Sequence, residues 1–179
     1  KLKETLTLVI EWLKFAEAKN AGLLVLNSGS IIGIAAAYKD LYEVPNHSCL
    51  KFAIVLFVIC SFCSLWNVIE SISAKYNPNE IPIWENKSPN SLNLIFFGDL
   101  AQLSAEQVVS EMQTQYTLTH SENKKLELHL ANQIVINSNI ALQKFILFNK
   151  AMHATKVAFL VATTIALIGE LYSFLSLSK

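Results

Sequence analysis

Phe52-Ala-Ile-Val-Leu-Phe-Val-Ile-Cys-Ser-Phe-Cys-Ser-Leu-Trp-Asn-Val-Ile69 runs for 18 residues without a charge, a proline or a glycine. A helix of that length rises about 27 Å, close to the ~30 Å hydrocarbon core of a bilayer. Two other stretches of the same kind flank it, Ala21–Tyr38 before and Val157–Leu175 after. None of the three holds Lys, Arg, Asp or Pro, and Glu170 in the last is their one carboxylate. The arrangement is two plus one, because about 85 mostly polar residues separate the second stretch from the third. The fold class expected is an all-α membrane protein. An N-terminal helix enters a two-helix transmembrane hairpin, a small, mostly helical cytoplasmic insert follows, and a long helix continues into a third span.

Composition supports that class. Of 179 residues 53% are hydrophobic, and the mean hydropathy is +0.39. Fourteen basic residues balance fourteen acidic ones, so no net field draws in nucleic acid. Every basic residue is Lys, which disfavours any mechanism built on a bidentate Arg clamp. The three cysteines are Cys49, Cys60 and Cys63. The last two have CxxC spacing, but an apolar helix offers neither the remaining zinc ligands nor redox access. No metal site is expected. The charged, Leu-rich opening does not have the pattern of a signal peptide.

Lysines also orient the chain. Eleven lie in the N-terminal segment and the insert, against three at Lys39, Lys51 and Lys179. The expected topology is a cytoplasmic N-terminus, a cytoplasmic insert and an external C-terminus. The domain limits that follow are 1–20 for a cytoplasmic amphipathic helix, 21–69 for the hairpin, 70–156 for the insert, and 157–179 for the third span with its tail.

Leu2, Leu6, Val9, Leu13 and Ala16 line one face of the opening helix, and nothing breaks it before the first span. Pro45-Asn46 marks the hairpin turn, and three of the four prolines make Asn77–Asn93 an irregular connector. Leu94–Gly98 reads as a short strand or a buried extended piece. Ser104-Ala-Glu-Gln107 is a capping box opening a helix to about Leu118. Ser121 caps a second start, and from Glu122 neither Gly nor Pro appears until Gly169. One helix of ~50 residues is expected there, about 75–80 Å long. Leu128, Ala131, Val135, Ser138, Leu142, Phe145 and Met152 give its cytoplasmic half a packing stripe.

Four polar or small-residue patterns stand out. Gly29 and Gly33 form GxxxG, which suits either packing inside the hairpin or contact between subunits. Asn27, Ser28, Ser30, Ser61, Ser64 and Asn67 should face the bundle, as interhelical glue or as a wettable lining. Glu170, deep in an apolar span, is either functional or snorkels to the interface. Gln133, Asn137 and Lys144 lie within about 40° on the long helix. They form a polar row that is either a solvated face or a contact for a phosphate and a base edge. His120, His129 and His153 are too dispersed to share a metal, and no catalytic motif is present. No catalytic residue is assigned and no enzyme is expected.

Three motifs carry a family resemblance. Glu17-Ala-Lys19-Asn-Ala-Gly-Leu-Leu-Val-Leu-Asn27 departs mildly, at Glu17 and Asn20, from an Asp-x-Lys-Ala opening pattern. Asn93-Leu-Ile-Phe-Phe-Gly98-Asp99-Leu-Ala-Gln-Leu-Ser104 matches a central Asn-x-x-Phe-Phe-Gly-x-x-Ala-x-Leu-Ser signature. Gln133-Ile-Val-Ile-Asn-Ser138, with Lys144 and Phe145, matches a Gln-Ile…Ser…Lys pattern leading into the last span. Together they resemble the transmembrane effectors of Pycsar antiphage systems over most of the chain. The resemblance implies a bacterial inner-membrane protein, functionally linked to a nucleotide cyclase, that responds to cyclic CMP or cyclic UMP. The response implied is membrane impairment by an oligomerising or opening effector, ending in growth arrest or cell death. A non-conducting adaptor that recruits a soluble partner is the alternative. No cofactor is expected beyond the cyclic nucleotide itself. Lys19, Phe97, Asp99, Gln133, Asn137, Ser138 and Lys144 are the candidates for sensing or coupling. Asn27, Gly29, Ser30, Gly33, Ser64, Asn67 and Glu170 are the candidates for membrane packing or a pore, in a homo-oligomer.

Overall fold

The computed structural model describes residues 1–37, 48–76, 92–116 and 123–177. Five helices appear there: α1 (Leu2–Ala36), α2 (Ser48–Ile72), α3 (Phe97–Leu100), α4 (Ala105–Tyr116) and α5 (Lys124–Leu177). No strand occurs among the described residues. The Pro45-Asn46 turn, the prolines of the connector, the Ser121 cap, His120 and the helix end at Leu118 lie outside them.

The opening helix runs without interruption into the first apolar stretch, making α1 35 residues long. At its start Lys1 Nζ donates to Glu4 Oε2 at 3.0 Å, and that bond holds the Glu4 carboxyl below its ordinary value. The long last helix is also continuous, 54 residues from Lys124. Asn123 caps it, its Oδ1 accepting the Leu126 N–H at 3.1 Å.

The chain divides into two compact units: unit 1 is Lys1–Lys19 with Ser71–Ile146, and unit 2 is Asn20–Glu70 with Leu147–Lys179. Three helices, α1, α2 and α5, contribute to both.

Unit 1 is built like a water-soluble domain. Val9, Leu94, Leu100, Val108, Met112, Ala131, Ile134 and Val135 form its buried core, with Leu2 and Leu6 packed on it. A second cluster joins Phe97, Ala101, Ala141 and Leu142, with Leu13 and Phe145 against it. The expected face of the opening helix is therefore the buried one, whereas Leu128 at the far end of the α5 stripe is exposed. Each large side chain buried in this way contributes about 1.5–3 kcal/mol.

The signature region forms no strand, although Phe96 keeps an extended backbone. Asn93 Oδ1 accepts the Ile95 N–H at 3.0 Å and Asn93 O accepts the Phe96 N–H at 3.0 Å, a turn closed by its own side chain. One turn of helix, α3, follows. The strand reading of Leu94–Gly98 fails because Asn93 supplies locally the bonds that a partner strand would have supplied. The capping box is realised in both directions: Ser104 N–H donates to Gln107 Oε1 at 2.8 Å, and Gln107 N–H to Ser104 Oγ at 3.2 Å.

Unit 2 holds the apolar stretches. Ser48–Ile72 and the Lys124–Gly169 part of α5 are long and apolar enough to cross a membrane by length and composition. Only 28% and 17% of their most apolar windows are buried, where the core helix of a soluble protein would be mostly buried. α1 does not meet the same measure, since Asn20, Asn27, Ser28 and Ser30 dilute its apolar half. Leu23, Val68, Phe148 and Ala151 make a small buried cluster.

Candidate functional site

In unit 1 an aromatic cluster and Lys19 converge from α1, α3 and α5. Trp12, Phe15 and Lys19 stand at i, i+3 and i+7 on α1, which places them on one face. Phe97 of α3 and Phe145 of α5 meet that face. Their two rings stack at 5.0 Å with 17° between planes, and Trp12 lies 5.6 Å from Phe97. Phe96 sits 4.7 Å from Phe97. Lys19 Nζ lies over the rings of Phe15 at 4.6 Å and Phe145 at 5.4 Å, within cation–π range. Trp12 and Phe15 remain 38% and 48% exposed, so part of the aromatic surface is open to a ligand. Aromatic faces stack flat heterocycles without regard to sequence, and an ammonium meets a phosphate as a point charge.

Lys144, next to Phe145 on α5, is buried. Its Nζ lies 3.4 Å from Glu17 Oε1 and 3.5 Å from Ile72 O, the last residue of α2. Its own carbonyl accepts Ser71 Oγ at 3.2 Å. One buried residue thus binds α1 by charge and α2 by two hydrogen bonds. A cation at a helix C-terminus also meets the negative end of the helix dipole.

Asp99 is buried and works within the signature turn, its Oδ2 accepting the Asn93 N–H at 2.9 Å. A Cβ at Gly98 would collide with the Phe96 ring, which would have to shift. The expected polar row does not form a common site. Lys144 faces inward while Gln133 is exposed, about 16 Å away along the helix. Asn137 Nδ2 donates to the Gln133 carbonyl at 2.9 Å, spending its donor on its own helix. Ser138 is fully buried, with no hydrogen-bond partner for its Oγ among the described residues. Of the sensing candidates, Lys19 and Phe97 come together around Phe145, and Lys144 precedes Phe145 in sequence.

In unit 2 part of the inside is polar. The two Asn27 Nδ2 hydrogens are shared among Leu23 O at 2.9 Å, Ser64 Oγ at 3.2 Å and Thr155 Oγ1 at 3.1 Å. Ser64 Oγ donates to Ala151 O at 2.9 Å and lies 2.8 Å from Thr155 Oγ1. Three helices are joined at one buried point, with all three residues at most 3% exposed. Ser28 and Ser30 bond back to Leu24 O and Leu26 O instead. Asn67 is half-buried and bonds back to Cys63 O.

Among the described residues nothing lies within 4 Å of a Cβ built on Gly29 or Gly33. Helix geometry gives the reason, because with Asn27 turned inward Gly29 stands about 200° away around α1. Glu170 lies on α5, with its side chain outside the described set.

Sequence reasoning missed Trp12, Phe15, Glu17 as a partner for Lys144, and Thr155. The aromatic–aromatic–Lys spacing at i, i+3 and i+7 was the available signal for the first two. Thr155 had none of its own.

Residues 1–169 match the Pycsar effector protein domain, PycTM. The chain is also 31% identical over 158 residues to the Pycsar effector protein RsPycTM of a Rhizobium species. That alignment covers 86% of this chain and 85% of the relative. No solved structure matches.

Proposed function

The chain belongs to the Pycsar effector family of antiphage defence effectors, and on that premise we propose that it responds to cyclic CMP or cyclic UMP by impairing the bacterial inner membrane. Unit 1 receives the messenger in the cytoplasm. Its base lies against the open aromatic faces of Trp12 and Phe15, and its phosphodiester is drawn to the lysines. A homo-oligomer then opens or disrupts the bilayer, and growth stops before phage mature. The lysine bias supports a cytoplasmic N-terminus and unit 1, with the C-terminus outside. The cyclase is a functional partner that supplies the signal, and the effector itself performs no chemistry.

The observation that carries this reading is the continuity of α5. One 54-residue helix holds Lys144 and Phe145, then Ala151 and Thr155 of the buried polar point, then the apolar span. A shift imposed on its cytoplasmic half has no break in which to dissipate before Gly169. The messenger must bind the active arrangement better than the resting one. Moving a population from 1:99 to 99:1 requires about 5.5 kcal/mol of such preference.

The test is dye leakage from liposomes carrying the purified protein. Cyclic CMP or cyclic UMP should release the dye, and Lys19→Ala should raise the concentration needed about 10-fold, the equivalent of one lost charged contact. Absence of leakage with either nucleotide at every protein density would overturn the proposal. An adaptor would instead keep a stoichiometric soluble partner on purification from membranes.

A further inference from the structure

We propose that the Glu17 carboxylate is a built-in occupant of an anion site centred on Lys144, and that the messenger's phosphodiester activates the protein by replacing it. The inference rests on the cyclic-nucleotide reading above and specifies how its site is regulated.

The asymmetry of the ion pair carries the argument. The Lys144 side chain is 5% exposed, whereas that of Glu17 is 57% exposed. An ammonium so deeply buried needs a counter-charge beside it, since no water is available to solvate it. The carboxylate is under no such constraint, and turning into solvent costs it little. The cation is therefore the fixed partner and the anion the replaceable one. A cyclic mononucleotide phosphodiester carries one negative charge, as a carboxylate does. The exchange consequently leaves the charge around Lys144 unchanged.

The consequence lies in what the pair ties together. Glu17 is on α1, Lys144 is on α5, and the same ammonium reaches the end of α2 through Ile72 O. Those are the three helices that run on into unit 2. With Glu17 in place, α1 is tied to α5 by charge. With the phosphodiester there instead, the tie is gone while Lys144 keeps its bond to α2. The messenger needs no new contact in the membrane to change the relation between α1 and α5.

The experiment compares full-length wild type, Glu17→Gln and Lys144→Met in nanodiscs and liposomes. Binding of cyclic CMP and cyclic UMP is read by calorimetry and leakage by dye release. Glu17→Gln keeps the side-chain shape at an exposed position and removes the competing charge. It should bind the active nucleotide about 3- to 10-fold more tightly, as expected if the carboxylate fills the site some 70–90% of the time. Because it also removes the charge tie between α1 and α5, its leakage without nucleotide should rise and its leakage threshold should fall in parallel. Lys144→Met should lose the nucleotide response, and adding it to Glu17→Gln should abolish the gain in affinity. A Glu17→Gln protein that binds with wild-type or weaker affinity, while wild type binds and leaks normally, overturns the displacement mechanism alone. If wild type binds neither nucleotide, the underlying reading falls and the displacement mechanism with it.

Discussion

Unit 1 and unit 2 use the same chain in opposite ways. In unit 1 Leu94, Leu100, Met112 and Ile134 are at most 1% exposed. In unit 2 many large apolar side chains face outward, with Val25 70%, Leu160 67%, Leu167 70% and Phe174 71% exposed, while Asn27, Ser64 and Thr155 are buried beside the small Leu23, Val68 and Phe148 cluster. Water and lipid explain the inversion. In water, removing apolar surface drives folding and polar groups can stay outside. In lipid that drive between helices is absent, and small or hydrogen-bonding residues hold the helices together. The family's membrane character is thus written in which residues each unit hides.

Substitutions can break this contrast, and the core of unit 1 should respond most. Ile134→Ala is expected to cost about 2–5 kcal/mol, because it leaves a cavity in a packed interior. Leu167→Ala should change stability by less than about 0.5 kcal/mol, since its side chain faces the surroundings. Thermal unfolding of both variants in the same detergent checks the pair. A larger loss for Leu167→Ala would mean that this face is covered.

The polar point of unit 2 comes next. Asn27→Leu removes the contacts to both Ser64 and Thr155 and should cost about 1–2 kcal/mol, the upper range for polar contacts between membrane helices. Thr155→Val should weaken the same point by about 0.6 kcal/mol or more. If both variants unfold like wild type, the buried bonds do not hold unit 2 together.

The signature turn sharpens the unit 1 side. Gly98→Ala should push the Phe96 ring off Phe97, losing an aromatic pair worth about 0.5–1.5 kcal/mol. Near-ultraviolet circular dichroism would report the altered ring packing, and an unchanged spectrum would show that Phe96 relaxes freely.

The capping box of unit 1 responds locally. Ser104→Ala should cost about 1 kcal/mol by freeing the Gln107 N–H. The Glu106 carboxyl is held below its ordinary value by its own backbone N–H and by the Ser104 side chain. A carboxylate lowered in the folded state stabilises above its unfolded value, and that support disappears as pH falls through the folded value. Acid titration of Glu106→Gln should therefore show a slightly flatter loss of stability below the ordinary carboxylate range. An identical titration curve would remove the assignment.

Much of this fold was legible because its signals are local. Ser104 and Gln107 announced their cap by spacing, and the absence of Gly and Pro announced α5. Asn27 and Ser64 were readable as inward-facing because a polar group in lipid must find a partner. The Leu94–Gly98 segment misled because Phe-Phe and Ile favour strands by composition, while one Asn side chain closed a turn. The GxxxG pattern left its partner open because spacing shows that two backbones could approach, not which backbone does.

By itself the sequence determined that the chain is helical, that it enters a membrane and that it belongs among these effectors, since periodicity, hydropathy and short motifs are properties of neighbours along the chain. Tertiary structure decided the rest. It set Glu17 beside Lys144, Lys19 over Phe145 and Thr155 against Asn27, separated by 127, 126 and 128 positions. The physical reason is that a long-range contact depends on which face of each helix is buried and at what height it meets its partner. Only the packed helices settle those two quantities together.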